Sequence, residues 1–300
     1  MNKLNKVINT AKKLIDLPYN NFSLENYFPK LYKQFGELGF KNTDSNLPIK
    51  LMSGNHKESG IVTYNQLVSP YRKRNIYIIG KGILFDSGGL DLKPSGKMDN
   101  MCDDKAGAII ALTVANYLKG NVVAYCPITT NLIQTSKITP GDVISIDNKK
   151  VKVTDTDAEG RLILAEAIGT IPITKNDIII TIATLTGAVG YAIGDKATGV
   201  FSENEDLLKK YAEATSEAKE LAWALPMFDY MQDFYKKEPI CNHIEGFKGD
   251  ASQGAMFIKQ FIKYPENWIH LDIAYSAFNK DGKANGVPIK SLVNFIKKIK

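Results

Sequence analysis

The sequence predicts an α/β protein in three layers, a mostly parallel or mixed central sheet covered by helices on both faces. Three observations predict it. Short β-branched runs, Ile76-Tyr77-Ile78-Ile79, Val122-Val123-Ala124-Tyr125 and Asp177 to Ala183, recur along the chain and read as buried strands. Helical stretches alternate with them, and one, Ala106 to Leu118, is small and apolar all round, as a helix buried on a sheet must be. At 300 residues, 44% hydrophobic and 23% charged, the chain is long and apolar enough to bury a large core of this kind.

Taken in order, Leu4, Val7, Ile8, Ala11, Leu14 and Ile15 fall at helical spacing over residues 1–17, and Leu17-Pro18-Tyr19-Asn20-Asn21 breaks the helix. Ser23 is then read as the N-cap of a second helix opening Leu24-Glu25-Asn26-Tyr27. Residues 36–66 are rich in glycine, asparagine and lysine, with edge strands expected at Ile49–Met52 and Gly60–Tyr64. Pro140-Gly141-Asp142 is a turn. Val143–Ile146 and Val151–Val153 flank Asp147-Asn148-Lys149-Lys150 as a hairpin. A helix is expected behind Arg161 from Leu162 to Ile168, an amphipathic one from Leu207 to Leu221, a late strand over Trp268–Ile273 and a closing helix over Ile289–Ile299. The sequence shows no internal repeat and no low-complexity segment.

The net charge of +6 comes from scattered lysines, with short basic runs only at Tyr71-Arg72-Lys73-Arg74 and Lys297-Lys298-Ile299-Lys300. A solvated surface explains that distribution better than a nucleic-acid footprint. Cys102, Cys126 and Cys241 are odd in number and widely spaced, which argues against a disulfide framework and a cysteine zinc site and suits a reducing compartment. No signal-like apolar segment opens the chain, and no apolar run approaches the ~18 residues of a membrane span. The expectation is a cytoplasmic protein with no membrane partner.

Chemistry concentrates in two stretches. The first runs from Gly80-Lys81-Gly82 through Phe85-Asp86-Ser87-Gly88-Gly89 and Lys93 to Cys102-Asp103-Asp104, a glycine-punctuated loop at the carboxyl end of the strand 76–79. The second is Asp155-Thr156-Asp157-Ala158-Glu159-Gly160-Arg161. Lysines and carboxylates so placed are costly to bury without partners, and a hard divalent cation is one such partner. On an extended loop, Asp157 and Glu159 would face one side. Carboxylates able to bridge two ions, with cations beside them to stabilise an oxyanion, suit hydrolytic chemistry. Each piece alone stays ambiguous: the second stretch fits a salt-bridged turn as well as a metal loop. Gly80-Lys81-Gly82 is not a phosphate loop, because no GxxxxGK[ST] pattern is present. His56, His243 and His270 form no HExxH, His270 reads as a satisfied core histidine, and Cys102 as a packed thiol with no histidine partner nearby.

Together these residues resemble the leucyl aminopeptidase family of dizinc exopeptidases. The resemblance covers the two stretches, with Met98-Asp99-Asn100-Met101, Gly107-Ala108, Pro140-Gly141-Asp142, Ala183-Thr184-Leu185-Thr186-Gly187-Ala188 and Leu271-Asp272-Ile273-Ala274. Lys81 precedes Asp86, Lys93 and Asp104 by 5, 12 and 23 residues, which fits the family pattern. The resemblance implies a catalytic domain of phosphorylase/hydrolase-like type. It implies that Lys81, Asp86, Asp104 and Glu159 hold the tighter of two divalent ions, and that Asp86, Asp157 (side chain and backbone carbonyl) and Glu159 hold the more exchangeable one. The ions would be zinc, manganese, magnesium or cobalt. Lys93 would polarise the scissile carbonyl, Arg161 would hold a bicarbonate ion acting as general base, and Met101, Thr184, Leu185 and Gly187 would line the first side-chain pocket. The implied activity is release of the N-terminal residue from peptides, with a leucine-like preference, by a hexamer.

The chain departs from the family at Asp155, where an asparagine is usual, and at Lys105, where an uncharged residue follows the ligand. Asn131 to Thr135 lacks the usual proline, and Ser252-Gln253-Gly254-Ala255 replaces a small-residue run. The helix Ala11 to Asn20 resembles the segment that opens the family's catalytic half. The expectation is therefore one catalytic domain over 1–300, its residues 1–74 packed on it, without the family's separate N-terminal domain. The rival reading is a non-enzymatic DNA-binding or structural relative, which the scattered lysines and intact ligand positions disfavour.

Overall fold

A computed structural model describes residues 2–65 and 74–300. Helix α1 (Lys3–Ile15) forms where the apolar spacing predicts it, with the Asn2 side chain accepting from the Leu4 amide and Lys12 and Lys13 in the last turn, facing the negative end of the dipole. Helix α2 (Tyr27–Phe35) starts later than predicted: the Ser23 hydroxyl donates to Glu25 instead of accepting from a helix amide, and Asn26 takes the capping position. Strand β1 (Leu38–Lys41), helix α3 (Pro48–Met52) and strand β2 (Gly60–Tyr64) follow. The strand expected at Ile49–Met52 is thus a helix. Pro48 sets its first turn, and the Glu166 carboxylate accepts from the Ile49 amide at 2.8 Å. Gly60–Tyr64 is a strand, but an interior one; β1 holds the edge.

Strands β3 (Ile76–Gly80) and β4 (Gly82–Asp86) are parted by Lys81 alone, so much of the expected glycine-rich loop is sheet. After helix α4 (Ala106–Leu118), strand β5 (Val122–Asn131) runs well past the predicted Tyr125. The hairpin is β6 (Val143–Ile146) and β7 (Lys149–Lys152), with Asp147 and Asn148 at positive φ in its turn. Then come α5 (Gly160–Gly169), β8 (Ile178–Ala183), α6 (Ala188–Ile193), β9 (Ala197–Phe201) and α7 (Glu205–Ala218). Helix α7 stops short of the predicted Leu221, which opens β10 (Leu221–Ala224) after Lys219 turns left-handed. The chain closes with α8 (Asp229–Gln232), β11 (Ile240–Cys241), α9 (Asp250–Lys259), β12 (Trp268–Asp272) and α10 (Ile289–Ile299).

Among the described residues, nine strands form one mixed sheet in the order β1-β2-β5-β3-β8-β12-β9-β10, with β4 paired to β5; β6, β7 and β11 form a small separate sheet. Strands β4, β5, β3, β8 and β12 are mutually parallel, while β2 and β9 run against them. Successive side chains feed opposite faces. Ile76 and Ile78 join a core with α1, α2, α4, α7 and α10, and Tyr77 and Ile79 join one with α3, α5 and α9. The parallel strands end together at Gly80, Asp86, Asn131, Ala183 and Asp272, on the edge where such sheets bind ligands. Helix α4 meets that edge closely: a Cβ on Gly80 would stand 2.3 Å from the Gly107 carbonyl oxygen, and one on Gly107 2.4 Å from that of Ile182. Of the basic run 71–74 only Arg74 is described, and it donates to the carbonyls of Asn176 and Ile299. Among the described residues, no helix is long and apolar enough to cross a membrane.

Candidate metal centre and active site

The break between β3 and β4 aims Lys81 inward from the sheet edge. Its ammonium lies 2.7 Å from Asp104 Oδ2, 2.7 Å from Glu159 Oε1 and 3.0 Å from the Thr184 carbonyl oxygen. Asp104 comes from a tight helical turn, Met101–Lys105, that leads into α4; Glu159 is the residue before α5. The Thr184 hydroxyl donates to Asp104 Oδ1. A Cβ on Gly160 would fall within 2.9 Å of Lys81 Cδ, Cε and Nζ, so a larger residue here would push the Lys81 side chain from its place in the cluster. All three charged side chains are buried, Glu159 at 2% exposure.

A second cluster lies beside the first. The Lys93 ammonium sits 2.8 Å from Asp86 Oδ2 and 2.5 Å from Asp157 Oδ1. Asp86 ends β4, and its other oxygen accepts from the Gly88 amide at 2.9 Å and from Asn131 Nδ2 at 2.8 Å. The two loops are clamped by Asp91, whose carboxylate accepts from the Thr156 amide and hydroxyl. This cluster is more open: the Asp157 side chain is 33% exposed and that of Lys93 16%. Asp157 and Glu159 do not share one side of an extended segment. Residues 156–157 form a turn, so Asp157 reaches Lys93 and Glu159 reaches Lys81.

Asp86, Asp104 and Glu159 offer oxygens that all lie within 4.8 Å of one another. Four buried or half-buried carboxylates thus face two ammonium groups. Burial raises Glu159 to about 8, helped by the charge of Asp86, and burial with Asp86 raises Asp157 to about 7; Asp104 is raised on the same grounds against the pull of Lys81. Burial would lower Lys81 and Lys93, but the carboxylates outweigh it and hold both ammoniums above their usual range. Glu159 Oε1 and Asp104 Oδ2 meet only the Lys81 ammonium, and Glu159 Oε2 is buried with no partner at all. Excess buried negative charge and a hard oxygen left without a partner fit divalent cations.

Arg161, in the first turn of α5, donates from Nη1 to the Asn242 carbonyl at 2.8 Å and to Gln253 Oε1 at 3.4 Å. Its Nε is buried without a partner, a donor left for an oxyanion. Arg161 lines a cavity of about 500 Å³ with Lys81, Asp86, Lys93, Asp104 and Asp157. Met101, Thr184, Leu185 and Gly187, the residues matched to a side-chain pocket, line the same cavity. The loop that carries the last three is pinned by Asp272, which accepts from the amides of Leu185 and Thr186 and the Thr186 hydroxyl.

Sequence reasoning missed the residues that hold others in place. Asn131 orients Asp86, and Asn242 ties residues 155 and 158 together by donating to both carbonyls. Gln253, legible only as a departure from a small-residue run, bonds the backbone of Ile244 and contacts Arg161. The two charged departures also have local explanations. Lys105 turns away to donate to the carbonyls of Ile15, Leu17 and Cys102, and Asp155 accepts from the Asp157 amide at 2.7 Å. His270 is a core residue as expected, though only half satisfied: Nδ1 bonds the Thr181 hydroxyl, and Nε2 has no partner. Burial, with Arg161, holds it down at about 3. Cys102 is half-buried, its thiol raised chiefly by burial, which is the opposite of an activated nucleophile.

Comparison with known proteins gives a concordant picture. Residues 39–293 match the model of the cytosol aminopeptidase family, catalytic domain. A probable cytosol aminopeptidase of Chlorobaculum tepidum is 33% identical over 96% of this chain and 62% of its own length. One of Protochlamydia amoebophila is 34% identical over 82% of this chain and 52% of its own. The chain therefore spans less than two thirds of these relatives. In fold it is similar to a bottromycin maturation enzyme solved in complex with Mn, with a TM-score of 0.83 over 99% of this chain and 70% of that one at 23% identity.

Proposed function

The chain belongs to the cytosol aminopeptidase family, and on that premise we propose that it is a metal-dependent aminopeptidase releasing one residue at a time from the N-terminus of peptides. The observation that carries this reading is the imbalance at the sheet edge: Asp86, Asp104, Asp157 and Glu159 set against only Lys81 and Lys93, with Glu159 Oε2 left without a partner. In this proposal Lys81, Asp86, Asp104 and Glu159 hold one divalent ion, and Asp86, Asp157 and Glu159 hold a second. Zinc and manganese lead, and magnesium and cobalt suit the same donors. Lys81 ligates only as the neutral amine, so it gives up its proton on loading. When bound, two such ions supply Lewis acidity and an acidified water.

The chain's own groups supply the rest. The substrate's free α-amine would sit at the ion and near Asp104, which limits removal to the terminal residue. Lys93 stabilises negative charge growing on the scissile carbonyl oxygen. Arg161 cannot accept a proton, but with an unpaired Nε it binds a small oxyanion; bicarbonate there supplies the general base. Met101, Leu185 and Gly187 make walls that accept leucine-like side chains and discriminate weakly among them. Residues 1–300 acting as one catalytic domain is part of the proposal; it is supported by the single large sheet, with α1 and α2 packed on the same core as α4. A hexamer in the cytoplasm completes it, on family resemblance and three free cysteines.

The test is hydrolysis of leucine p-nitroanilide after chelation, then with manganese or zinc restored, with and without bicarbonate. Metal-dependent release enhanced by bicarbonate is expected. Lys93→Ala and Arg161→Ala should each lower turnover about a hundredfold while metal content stays near normal. Turnover that survives full chelation, or both substitutions, overturns the assignment.

A further inference from the structure

The catalytic cavity does not end at the residues matched to the side-chain pocket. Asn100, Met101, Asp103, Ala274, Tyr275 and Phe278 line it, and the same six line a second cavity of about 1170 Å³. The pocket beside Met101 therefore shares a wall with a larger space. The apolar part of the shared wall is Met101, Phe278 and the ring of Tyr275, which lies so close to α6 that a Cβ on Gly190 would stand 2.6 Å from it.

Asp103 is the exception in this wall. It is 7% exposed, and its one side-chain hydrogen bond is a weak one from the Cys102 thiol at 3.6 Å. Among the described residues it has no lysine, arginine or histidine within ion-pair distance. Lys105, the cation beside it in sequence, spends its three protons on the carbonyls of Ile15, Leu17 and Cys102. The other charges of the second cavity cancel in number, Asp195, Glu220 and Asp281 against Lys196, Lys219 and Lys280. On the catalytic side Lys81 is bound to Asp104 and Glu159, Lys93 to Asp86 and Asp157, Arg161 donates to Asn242 and Gln253, and Lys97 is exposed and screened by water. A nearly buried carboxylate beside an apolar stretch of wall thus has no cation in contact with it, and Lys105 and Lys283 act on it only from a distance.

We propose that Asp103 is a specificity-determining residue, and that the enzyme takes first residues whose long alkyl stem ends in a cation, lysine or arginine. The proposal rests on the aminopeptidase reading above. The stem would lie against Met101, Tyr275 and Phe278 while the ammonium or guanidinium reaches Asp103. The desolvation of Asp103 has been met on folding, so a cation from the substrate meets an electrostatic site already in place.

The experiment compares kcat/KM for arginine, lysine and leucine p-nitroanilides in the metal-loaded protein and in Asp103→Asn. The wild type should cleave the basic substrates at least as well as the leucine one, and the substitution should lower the basic-to-leucine ratio by about tenfold or more. In the wild type, which needs no variant to fold, rising salt should lower the same ratio. A wild-type preference for leucine by about a hundredfold, a ratio unmoved by Asp103→Asn, or a ratio flat in salt overturns the proposal and leaves the aminopeptidase standing. No cleavage of any substrate overturns the aminopeptidase reading, and this one with it.

Discussion

The two ammonium clusters share a chemistry and differ in how they are held. The Lys81 cluster is built at the ends of regular elements: the break between β3 and β4, the entry to α4 and the entry to α5. The Lys93 cluster hangs on loops, with only Asp86 at a strand end, and the Asp157 side chain keeps a third of its surface in water. Groups fixed by packing and closed to solvent bind an ion tightly and release it slowly, whereas a loop carboxylate in contact with water lets one exchange. Elements that shape a sheet would thus set the order in which the two proposed ions leave.

The largest expected effect comes from the residue proposed to hold both ions. Glu159→Gln keeps the shape and removes the charge from a buried carboxylate with one oxygen on Lys81 and the other without a partner. Both ions should be lost on dialysis and turnover should fall at least about a hundredfold, read by elemental mass spectrometry alongside leucine p-nitroanilide hydrolysis. Retention of two ions would break the comparison at its base. Asp157→Asn is the finer cut. Metal content should settle near one ion per chain and turnover should fall about ten- to a hundredfold. If that protein instead loses both ions together, the clusters are one site, and the contrast between packed and hung ligands has no consequence.

How far the sequence foretold this follows from the same contrast. The strands of the parallel centre were legible because β-branched runs have one physical meaning when bounded by turns. Ile49–Met52 was not, because four apolar-rich residues fit helix and strand alike; Pro48 and a buried carboxylate 117 positions away decide it. The charged site residues were legible because lysines and carboxylates among glycines are rarely left buried without purpose. Asn131, Asn242 and Gln253 were not, since an uncharged amide carries no sequence signal until its partners, Asp86 and Arg161 among them, are brought to it by the fold. Lys105 stood out for the opposite reason: its charge drew attention, and the structure spends it on carbonyls at the end of α1 and just beyond it.

The smallest effect sharpens the comparison from outside the site. Glu166 lies two turns along α5 from Glu159, and burial raises it, like Glu159, to about 8, but among the described residues no ammonium touches it. One of its oxygens accepts from the Ile49 amide, and the other has no partner. Its unfolded value is 4.5. Between these values the folded chain holds a proton that the unfolded chain has released, so this group lowers stability as pH rises from about 4.5 toward 8. Glu166→Gln keeps an acceptor for Ile49 and has no proton to lose. The variant should therefore gain on the wild type in urea midpoint steadily from pH 5 to about 8, and parallel midpoints across that range would sink the assignment. A gain at Glu166 without change in metal content, set beside a loss of metal in Glu159→Gln, would show that equal burial on one helix has two outcomes. A carboxyl with a cation in contact is poised to exchange that cation for another, and one without a cation only holds its proton.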